Sequence, residues 1–448
     1  MARDLDALAE AALAAARRAG AEAADVIVSA GESLSIEVRD GALEEAGRAE
    51  GVEFGLRVLI GRRQACVASS DVRAEALAAA AERAVAMARL APEDPWCGLA
   101  EPEELATDRD AGPLDLVDPS EPPTPATLEA AARAAEAAAL AVPGVSKMDA
   151  AGASWSRSAF RLAATNGFSG GYARTAHAIQ AVAISGDGLG MERDYAYETR
   201  AHAADMPGPE EIGRRAGERA AARAGATKPP TGAFPVLFDE RVASSLIGHL
   251  VQAANGSSIA RGASWLRDAL GERVLPAGMD LVEDPLRPRI SGSRPFDAEG
   301  LPARRRALVE DGVLTGWTLD LATGRQLGMP STGNAARGTG GPPSPSVGNL
   351  ALTEGAAGRD ALIAAMGRGL VVTSLIGASI NPTTGDYSRG ASGFWVENGA
   401  IVRPVNECTI AGNLREMLAR ITPANDARRH LSRVVPSLLV EGLVIAGA

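Results

Sequence analysis

The sequence predicts an α+β protein, with an N-terminal α+β domain around a mainly antiparallel sheet and a C-terminal domain that is mostly β. The first domain is predicted because alanine-rich amphipathic segments flank segments in which apolar and polar residues alternate. The second follows from short apolar runs that Asp-Gly and Asn-Gly pairs separate. A chain of 448 residues is long enough to bury more than one core.

The first 90 residues predict one unit of helix, sheet and helix. Gly20 ends the first helix, residues 4–19, because glycine tolerates the positive φ of a helix terminus. Asp40-Gly41 indicates a hairpin turn between two alternating segments. The predicted strands are 25–28, 34–38, 52–58 and 65–69, and the second helix is 71–90.

A second unit is predicted after a proline-rich, acidic connector at residues 91–125. Thr124-Pro125 fits the cap and the first position of a helix that extends to about residue 141. The segment KPPTG at 228–232 interrupts the chain, so we predict an N-terminal domain of residues 1–228 and a C-terminal domain of residues 229–448. The other elements predicted here are strands 146–151, 158–165 and 172–184 and a helix at 209–224.

The C-terminal domain begins with a short apolar strand, 236–238, and a helix that Asp239 caps. Asn255-Gly256 is predicted to end this helix. Its predicted apolar face consists of Val242, Ser245, Leu246, His249, Leu250 and Ala253. The elements predicted beyond it are hairpins 306–309/313–319 and 394–396/400–402, helices 359–366 and 413–421, strands 370–372 and 437–445, and a Gly/Pro/Ser loop at 338–347.

Composition excludes several classes of function. The net charge of −11 argues against a nucleic-acid-binding protein, and the arginines at 304–306 more often solvate a strand edge than bind phosphate. Cys66, Cys97 and Cys408 lie far apart without Cys-x-x-Cys spacing, which fits a reducing compartment. The charged N-terminus is unlike a signal peptide, and no run of about 18 apolar residues occurs, so we expect a cytoplasmic protein that does not span a membrane.

His249 lies in the central helix of the chain and has metal-binding chemistry. A zinc hydrolase helix carries two histidines about one turn apart, with a glutamate beside the first as general base. Here Leu250 follows His249, and Ala253 and Ala254 stand one turn further on. Because one imidazole does not hold zinc, we interpret His249 as a core or interface residue and predict no metal site in this chain.

Two glycine-containing strings are weak catalytic candidates. The string GFSGG at 167–171 matches the G-x-S-x-G pattern around Ser169, but hydrolases place that serine between a strand and a helix. Here an Asn-Gly turn precedes the string and a strand follows, so we predict no nucleophile, and the nearby His177 does not change this. The glycines at 338–341 precede two prolines and cannot open a phosphate-binding helix.

Two polar loops, 331–337 and 381–390, are candidates for peptide binding. Both place short hydrogen-bonding side chains beside glycines, and such loops can offer backbone groups to an extended peptide. The alternative is that these side chains only cap and turn their own loops. The candidate peptide-binding residues are Asn334, Arg337, Thr384, Asp386 and Ser388.

Segments along nearly the whole chain resemble the TldD/PmbA proteins, a family once named as modulators of DNA gyrase. The resemblance implies two domains, the second with a metalloprotease-like core, assembled as dimers. The segments that resemble the family are SLSIEVRDG at 33–41 with GLRV at 55–58, PEDP at 92–95, ATNGFSG at 164–170, KPPTG at 228–232, GSRPFD at 292–297, PSTGNA at 330–335, NPTTGDYS at 381–388 and TIAGNL at 409–414.

The family has two branches, and this chain resembles the branch without a zinc site. TldD-type subunits carry a His-Glu-x-x-x-His helix and a later cysteine as zinc ligands. The corresponding segment here keeps His249 but has Leu250 and Ala254 at the glutamate and second histidine positions. Residues 421–436 contain no cysteine, and Cys408 lies too early to match. The resemblance therefore implies a PmbA/TldE-type subunit with no cofactor of its own.

The same resemblance implies a role and a partner. It implies a non-catalytic subunit of a cytosolic TldD/TldE peptidase complex that acts on unfolded peptides, with zinc in the TldD-like partner and a homodimer when that partner is absent. Two alternatives stay open: a stand-alone peptide-binding or regulatory protein, and an independent hydrolase with an unrecognised site. A neighbouring chain with an intact His-Glu-x-x-x-His helix would favour the first interpretation.

Overall fold

The computed structural model describes residues 4–447 of the chain. Alanine-rich segments and capped segments form the helices, as the sequence predicts. The helices are α1 (Leu5–Ala19), α2 (Ala74–Leu90), α3 (Pro125–Leu140), α4 (Pro209–Ala221), α5 (Glu240–Ala253), α6 (Gly256–Ala260), α7 (Leu321–Leu327), α8 (Arg359–Met366) and α9 (Leu414–Leu418).

The strands of the N-terminal half are long and those of the C-terminal half are mostly short. The first group is β1 (Ala23–Arg39), β2 (Ala42–Ile60), β3 (Arg63–Ser69), β4 (Val145–Ala164), β5 (Ser169–Ser185) and β6 (Glu192–Arg200). The second group is β7 (Gly232–Phe238), β8 (Leu281–Glu283), β9 (Arg306–Glu310), β10 (Val313–Leu314), β11 (Ala335–Ala336), β12 (Ser344–Pro345), β13 (Leu350–Leu352), β14 (Gly369–Ile380), β15 (Asp386–Glu397), β16 (Ala400–Asn413), β17 (Ile421–Pro423), β18 (Arg433–Val434) and β19 (Leu438–Ala446).

The N-terminal half is organised around one antiparallel sheet in the order β3-β2-β1-β4-β5-β6. Helices α1 and α2 cover one end of a sheet face, and α3 and α4 cover the other end of the same face. Alanines dominate α1, α2 and α3, and α4 approaches α3 closely at Gly213 and Gly217. The opposite face meets the C-terminal half at one end, where Leu162 of β4 packs beside Phe296.

The C-terminal half contains a closed ring of five strands. The strands follow one another as β7, β14, β15 and β16, and β19 pairs with both β16 and β7 to complete the ring. Only the β14–β7 pair of this ring is parallel. A second sheet has the order β10-β9-β8-β13-β18, and both sheets contribute to one large core that also includes the apolar side of α5.

These observations confirm the predicted α+β class, with the antiparallel sheet in the N-terminal half and the strand-rich region in the C-terminal half. The boundary at residues 228 and 229 stays a prediction. The connector at 91–125 is ordered and packs on the C-terminal half: Ala106 donates its N–H to the carbonyl of Gly300, and Arg325 donates to the carbonyls of Trp96 and Leu99. In residues 4–447 no helix is long and apolar enough to cross a membrane.

Several predicted elements were wrong in length or in number. The two predicted strands 25–28 and 34–38 belong to one long strand, β1, and the predicted strands 146–151 and 158–165 both fall in β4. Both β1 and β4 are long because a neighbouring strand is hydrogen-bonded to each of their edges. Helix α7 and the strands β6, β8, β11, β13, β17 and β18 were not predicted. In the hairpin after Asp311-Gly312, pairing ends at Leu314 rather than at residue 319, and the predicted loop at 338–347 includes β12.

Helix α5 differs from its prediction in two ways. Asn255 has an extended φ of −74° and caps α6 by accepting a hydrogen bond from the N–H of Ser257, so Asn255-Gly256 starts a new helix. The buried face is also rotated from the predicted one, because α5 packs on β7 and β14 along a side that leaves Val242, Ser245 and His249 only half-buried. Its buried residues are Ala243, Leu246, Ile247, Leu250, Val251 and Ala253.

Candidate functional site

Strand β7 and helix α5 place His249 beside the five-stranded ring. Asp239 follows β7 directly and caps α5 by accepting from the N–H of Arg241, as predicted, at 3.3 Å. Its own N–H donates to the carbonyl of Val372, and its second carboxylate oxygen accepts from Nε of Arg359 at 3.1 Å. The start of α5 is therefore tied to the ring, and this fixes the direction in which the helix carries His249.

His249 faces the aromatic ring of Tyr387 on β15. The two ring centroids lie 5.8 Å apart at an interplanar angle of 71°, an edge-to-face contact. In the described part of the chain, the Nε2 atom of His249 is buried without a hydrogen-bond partner. Burial, and then the charge of Arg389, lowers the pKa of His249, so the imidazole is neutral at physiological pH.

Tyr387 is the second unpartnered group at this position. Its side chain is buried at 2% exposure, and within residues 4–447 its hydroxyl has no hydrogen-bond partner. Burial raises the pKa of Tyr387 to about 12, so the hydroxyl keeps its proton. A neutral imidazole and a phenol can each exchange one hydrogen bond with an incoming polar group.

The polar loop before Tyr387 is held by its own side chains. Asn381 accepts hydrogen bonds from the N–H groups of Thr383 and Thr384, at 2.9 and 3.3 Å. The hydroxyl of Thr384 donates to the carboxylate of Asp386 at 2.6 Å, and Asn413 donates to the same carboxylate at 3.2 Å. These two hydrogen bonds lower the pKa of Asp386. Thr384 and Asp386 nevertheless remain exposed.

Trp265 fastens this loop to the rest of the C-terminal half. Its N–H donates to the carbonyl of Pro382 at 2.8 Å, and the guanidinium of Arg415 donates to its carbonyl and lies 5.9 Å from its ring. The structure therefore places Asp386 and Ser388 on either side of Tyr387 in β15, and Thr384 in the turn just before that strand. Peptide binding by these three residues stays a prediction.

The other two candidate residues lie elsewhere. Asn334 is buried and donates its amide hydrogens to both carboxylate oxygens of Glu283, at 2.8 and 2.9 Å. The side chain of Arg337 is fully buried and binds Asp25 of β1 and the carbonyl of Gly55 of β2, the latter at 3.1 Å. Both polar groups are thus used inside the chain, and neither lies in the loop beside His249.

The donor set near His249 does not fit a zinc ion. Leu250 and Ala254 are each 1% exposed and point into the core at the two motif positions. Cys408 is buried in β16, where its thiol donates to the carbonyl of Ala391 at 3.2 Å and burial raises its pKa to about 11. Over residues 4–447 no three His, Cys, Asp or Glu side chains are grouped so that they could hold a metal ion.

The segment GFSGG at 167–171 lies between a turn and a strand, as predicted. Gly167 lies in the turn after β4, and Ser169 is the exposed first residue of β5, with no helix after it. The backbone carbonyl of Ser169 accepts from Arg109 at 2.9 Å, and His177 is paired with Asp118 further along β5. This arrangement lacks the strand, sharp turn and helix that expose a nucleophilic serine.

Sequence analysis did not single out Tyr387, although it lies in the 381–390 loop. Successive residues of a strand point alternately to its two faces. The position of Tyr387 between exposed Asp386 and half-buried Ser388 could therefore have indicated that its side chain is buried. The aromatic residues Phe160, Tyr172 and Phe296, from the two halves of the chain, were also missed. Their contacts join segments that are distant in sequence, so no local pattern predicts them.

Known protein families match this chain in both its N-terminal and its C-terminal half. Three family descriptions match: PmbA/TldA metallopeptidase domain 1 at residues 24–88, the central domain at 118–224 and the C-terminal domain at 231–447. The metalloprotease PmbA of Escherichia coli O157:H7 is 35% identical over 427 residues, which are 95% of this chain and 92% of the relative.

Two crystal structures have the same fold. A candidate modulator of DNA gyrase from Bacteroides thetaiotaomicron superposes with a TM-score of 0.90 at 26% identity, over the whole of both chains. TldE from Thermococcus kodakarensis superposes with a TM-score of 0.83 at 19% identity, over 98% of this chain and all of the other. The fold and the three matching family descriptions define a metallopeptidase-like protein. This chain belongs to the PmbA/TldD metallopeptidase family.

Proposed function

We propose that this chain is a non-catalytic, TldE/PmbA-like subunit of a TldD/TldE zinc metallopeptidase complex that degrades or processes unfolded peptides. The observation on which the proposal depends is the pair of buried apolar residues, Leu250 and Ala254, at the motif positions beside His249. A glutamate and a histidine at these positions would supply the general base and the second zinc ligand. Zinc is then expected in a TldD-like partner and not in this chain.

The similarity to a metalloprotease along 95% of the chain supports a role in proteolysis. Within residues 4–447 no three His, Cys, Asp or Glu side chains are grouped to hold a metal ion, and this supports an accessory rather than a hydrolytic role. The two are compatible if a partner subunit supplies the zinc-bound water and this chain supplies surface for the peptide.

The loop at 381–390 is the part of this chain that we expect to contact peptide or partner. Thr384 and Asp386 are exposed there, and their mutual hydrogen bond gives the loop a fixed shape before anything binds. The unpartnered Nε2 of His249 and hydroxyl of Tyr387 lie behind the loop and can accept or donate a hydrogen bond when a polar group approaches.

The test is hydrolysis of an unstructured peptide by four preparations: this chain alone, the TldD-type chain of the same source alone, the two mixed, and the mixture with a chelator. We expect the mixture to be more active than either chain alone and the chelator to abolish that activity. A partner whose motif glutamate is replaced by glutamine is the matched control, since it should assemble but not hydrolyse.

Each other outcome has a definite meaning. Chelator-sensitive hydrolysis by this chain alone would contradict a non-catalytic role. Failure of the two chains to associate, together with peptide binding by this chain alone, would favour the stand-alone binding protein. To test the loop, Thr384→Ala and Asp386→Asn in the mixture should raise KM more than Asp268→Asn does, because Asp268 is an exposed residue outside the loop.

A further inference from the structure

Strand β2 leaves part of its outer edge unpaired. Strand β1 pairs with the inner edge of β2 over residues 42–59, whereas β3 pairs with the outer edge only over residues 54–60. Residues 42–53 of β2 therefore have a strand on one side and none on the other. Residues 42–51 are exposed throughout, except for half-buried Gly47. The N–H and C=O groups on the outer side of this stretch are thus available to another chain.

This edge lacks the features by which most proteins protect an edge strand. Such strands are commonly short, carry lysine or proline, or lie under a helix or loop. The segment ALEEAGRAEGVE at 42–53 contains neither lysine nor proline, and it is long for an edge strand. A long uncovered edge is the structure to which an extended peptide can add as one more strand.

The sheet face beside this edge presents few side chains that would obstruct an added strand. Gly47, Ala49 and Gly51 alternate along β2 and therefore point to the same face. That face continues into β1, where Ser35 stands opposite Gly47 and Ser33 stands opposite Ala49. The helices pack on the other face of the sheet, through the alternate residues of β1. A strand added at the edge would therefore lay half of its side chains over small residues.

The charge of the edge indicates which peptides fit it. Residues 42–53 contain four glutamates and one arginine. Arg39 of β1 pairs with Glu44 at 3.0 Å, but Glu45 stands opposite Glu37 across the β1–β2 pair. Burial, and then the charges of Glu44 and Glu45, raise the pKa of Glu37, because the carboxylates repel one another. Positive charge brought to this edge would relieve that repulsion.

A cavity of ≈ 210 Å³ on the same face offers room for a basic side chain. Glu37 and Glu45 line it together with Gln180 and Tyr197. The carboxylate and amide oxygens accept hydrogen bonds from an ammonium or guanidinium group. The ring of Tyr197 adds a surface on which a cation can lie. The cavity therefore matches the charge of the edge in the kind of group that it would take.

A second copy of this chain fits the edge less well than a basic peptide does. Pairing two β2 edges would bring eight glutamates together with only two arginines, since each copy supplies four and one. Like charges directly opposite each other destabilise a sheet. The same glutamates keep acidic chains away and attract basic ones, so the edge is selective as well as open.

We propose that residues 42–53 of β2 bind an extended basic peptide as an added strand. Backbone hydrogen bonds to the outer edge of β2 would hold the peptide, and its lysine or arginine side chains would face the glutamates of β2. The proposal concerns the isolated chain, goes beyond its role beside a zinc-bearing partner, and uses a surface separate from the 381–390 loop.

The test is fluorescence anisotropy of three labelled peptides with the full chain at low ionic strength. The first is a peptide of about ten residues in which lysine and threonine alternate, and the second has glutamate in place of each lysine. The third is the lysine peptide with N-methyl groups on two adjacent central residues, which block hydrogen bonding along both of its edges. We expect the first to bind at least about tenfold more tightly than each of the others.

Hydrogen exchange and two double variants locate the binding. The lysine peptide should slow amide exchange within residues 42–53 by about tenfold or more. Glu45→Lys with Glu50→Lys should weaken binding by about tenfold or more, because both glutamates lie on the exposed edge. The control, Glu10→Lys with Glu82→Lys, makes the same charge change at exposed positions of α1 and α2 and should bind the peptide as the unchanged chain does.

Several outcomes would overturn the proposal. Equal binding of the methylated and unmethylated peptides would show that no strand is added. Equal weakening by the two double variants would show that net charge alone attracts the peptide, and unchanged exchange at residues 42–53 would place the peptide elsewhere. Protection of these residues that rises with protein concentration, without peptide, would identify a second copy as the occupant. No hydrolysis is measured, so failure here is distinct from failure of the proposed subunit role.

Discussion

His249 and Tyr387 meet edge to face at 5.8 Å, and within the described residues neither the imidazole Nε2 nor the phenol hydroxyl has a hydrogen-bond partner. Buried polar groups are almost always hydrogen-bonded, so a pair of unpartnered ones on neighbouring elements is unusual. That His249 stands at the first histidine position of a TldD-type zinc motif is what the sequence resemblance implies, and it stays a prediction.

Replacing Tyr387 by phenylalanine should not destabilise the isolated chain. The change removes a buried hydroxyl without a partner and keeps the ring, so the free energy of unfolding should stay equal or rise by up to about 1 kcal/mol. Urea unfolding of the two proteins measures the difference. A loss of stability of about 1 kcal/mol or more would show that the hydroxyl already has a partner in the isolated chain.

Replacing His249 by phenylalanine should change how stability depends on pH. The folded-state pKa of His249 is lowered mainly by burial from its ordinary value of 6.5, so the unfolded chain binds more protons than the folded one near and below pH 6.5. The wild-type chain therefore loses stability as the pH falls through 6.5, and His249→Phe removes that contribution.

The measurement is the difference in melting temperature between the two proteins from about pH 8 to pH 5. The difference should move in favour of His249→Phe as the pH falls. His177 and His430 also have lowered pKa values, but they are present in both proteins and cancel in the difference. A difference that stays constant across this range would contradict the interpretation of His249 as a buried neutral residue.

Asp25→Asn should strongly destabilise the junction between the halves. Burial alone would raise the pKa of Asp25, but Arg57 and Arg337 outweigh it and lower that pKa, and removing the charge leaves both buried guanidinium groups without their shared counter-ion. The expected loss is about 3–5 kcal/mol. The midpoint of urea unfolding measures it, and the matched control, Asp71→Asn at an exposed pair with Arg73, should leave the midpoint unchanged. Equal midpoints for the two variants would contradict the prediction.

Gly213→Ala should destabilise the packing of α3 on α4. A Cβ at Gly213 would lie 1.9 Å from the backbone carbonyl of Ala135, so the helices must separate, at a cost of about 1–3 kcal/mol. Gly248→Ala in α5 is the control, because its Cβ would approach only the flexible end of Arg433, at 3.3 Å. Alanine favours a helix over glycine by roughly 0.5–1 kcal/mol, so this variant should melt at the same or a higher temperature.

Ser169→Ala should leave the hydrolytic activity of the mixed subunits unchanged. Ser169 begins a strand instead of a nucleophile-bearing turn, and its backbone carbonyl accepts a hydrogen bond from Arg109. The rate of peptide hydrolysis by the mixture measures the effect. Loss of activity in a folded variant would mean that the G-x-S-x-G string has a catalytic role.

The sequence by itself determined the local features of this protein. Asp40-Gly41, Asp311-Gly312 and Asn398-Gly399 all adopt positive φ and make the hairpins that their chemistry predicts. Asp239 and Thr124 cap the helices that they precede. That two ligands of a zinc motif are missing at Leu250 and Ala254 is also an inference from sequence, and it stays a prediction. Each of these depends on residues within a few positions of one another.

Only the tertiary structure decided what depends on distant contacts. Strands β1 and β4 continue through segments in which apolar and polar residues alternate only weakly, because neighbouring strands are hydrogen-bonded along both edges of each. The face of α5 that is buried depends on where β7 and β14 lie, which the period of the helix does not specify. Arg337 reaches Asp25 across 312 positions of sequence, and no propensity or motif encodes such a contact. The α+β class was therefore predictable, whereas the His249–Tyr387 pair arises from long-range packing.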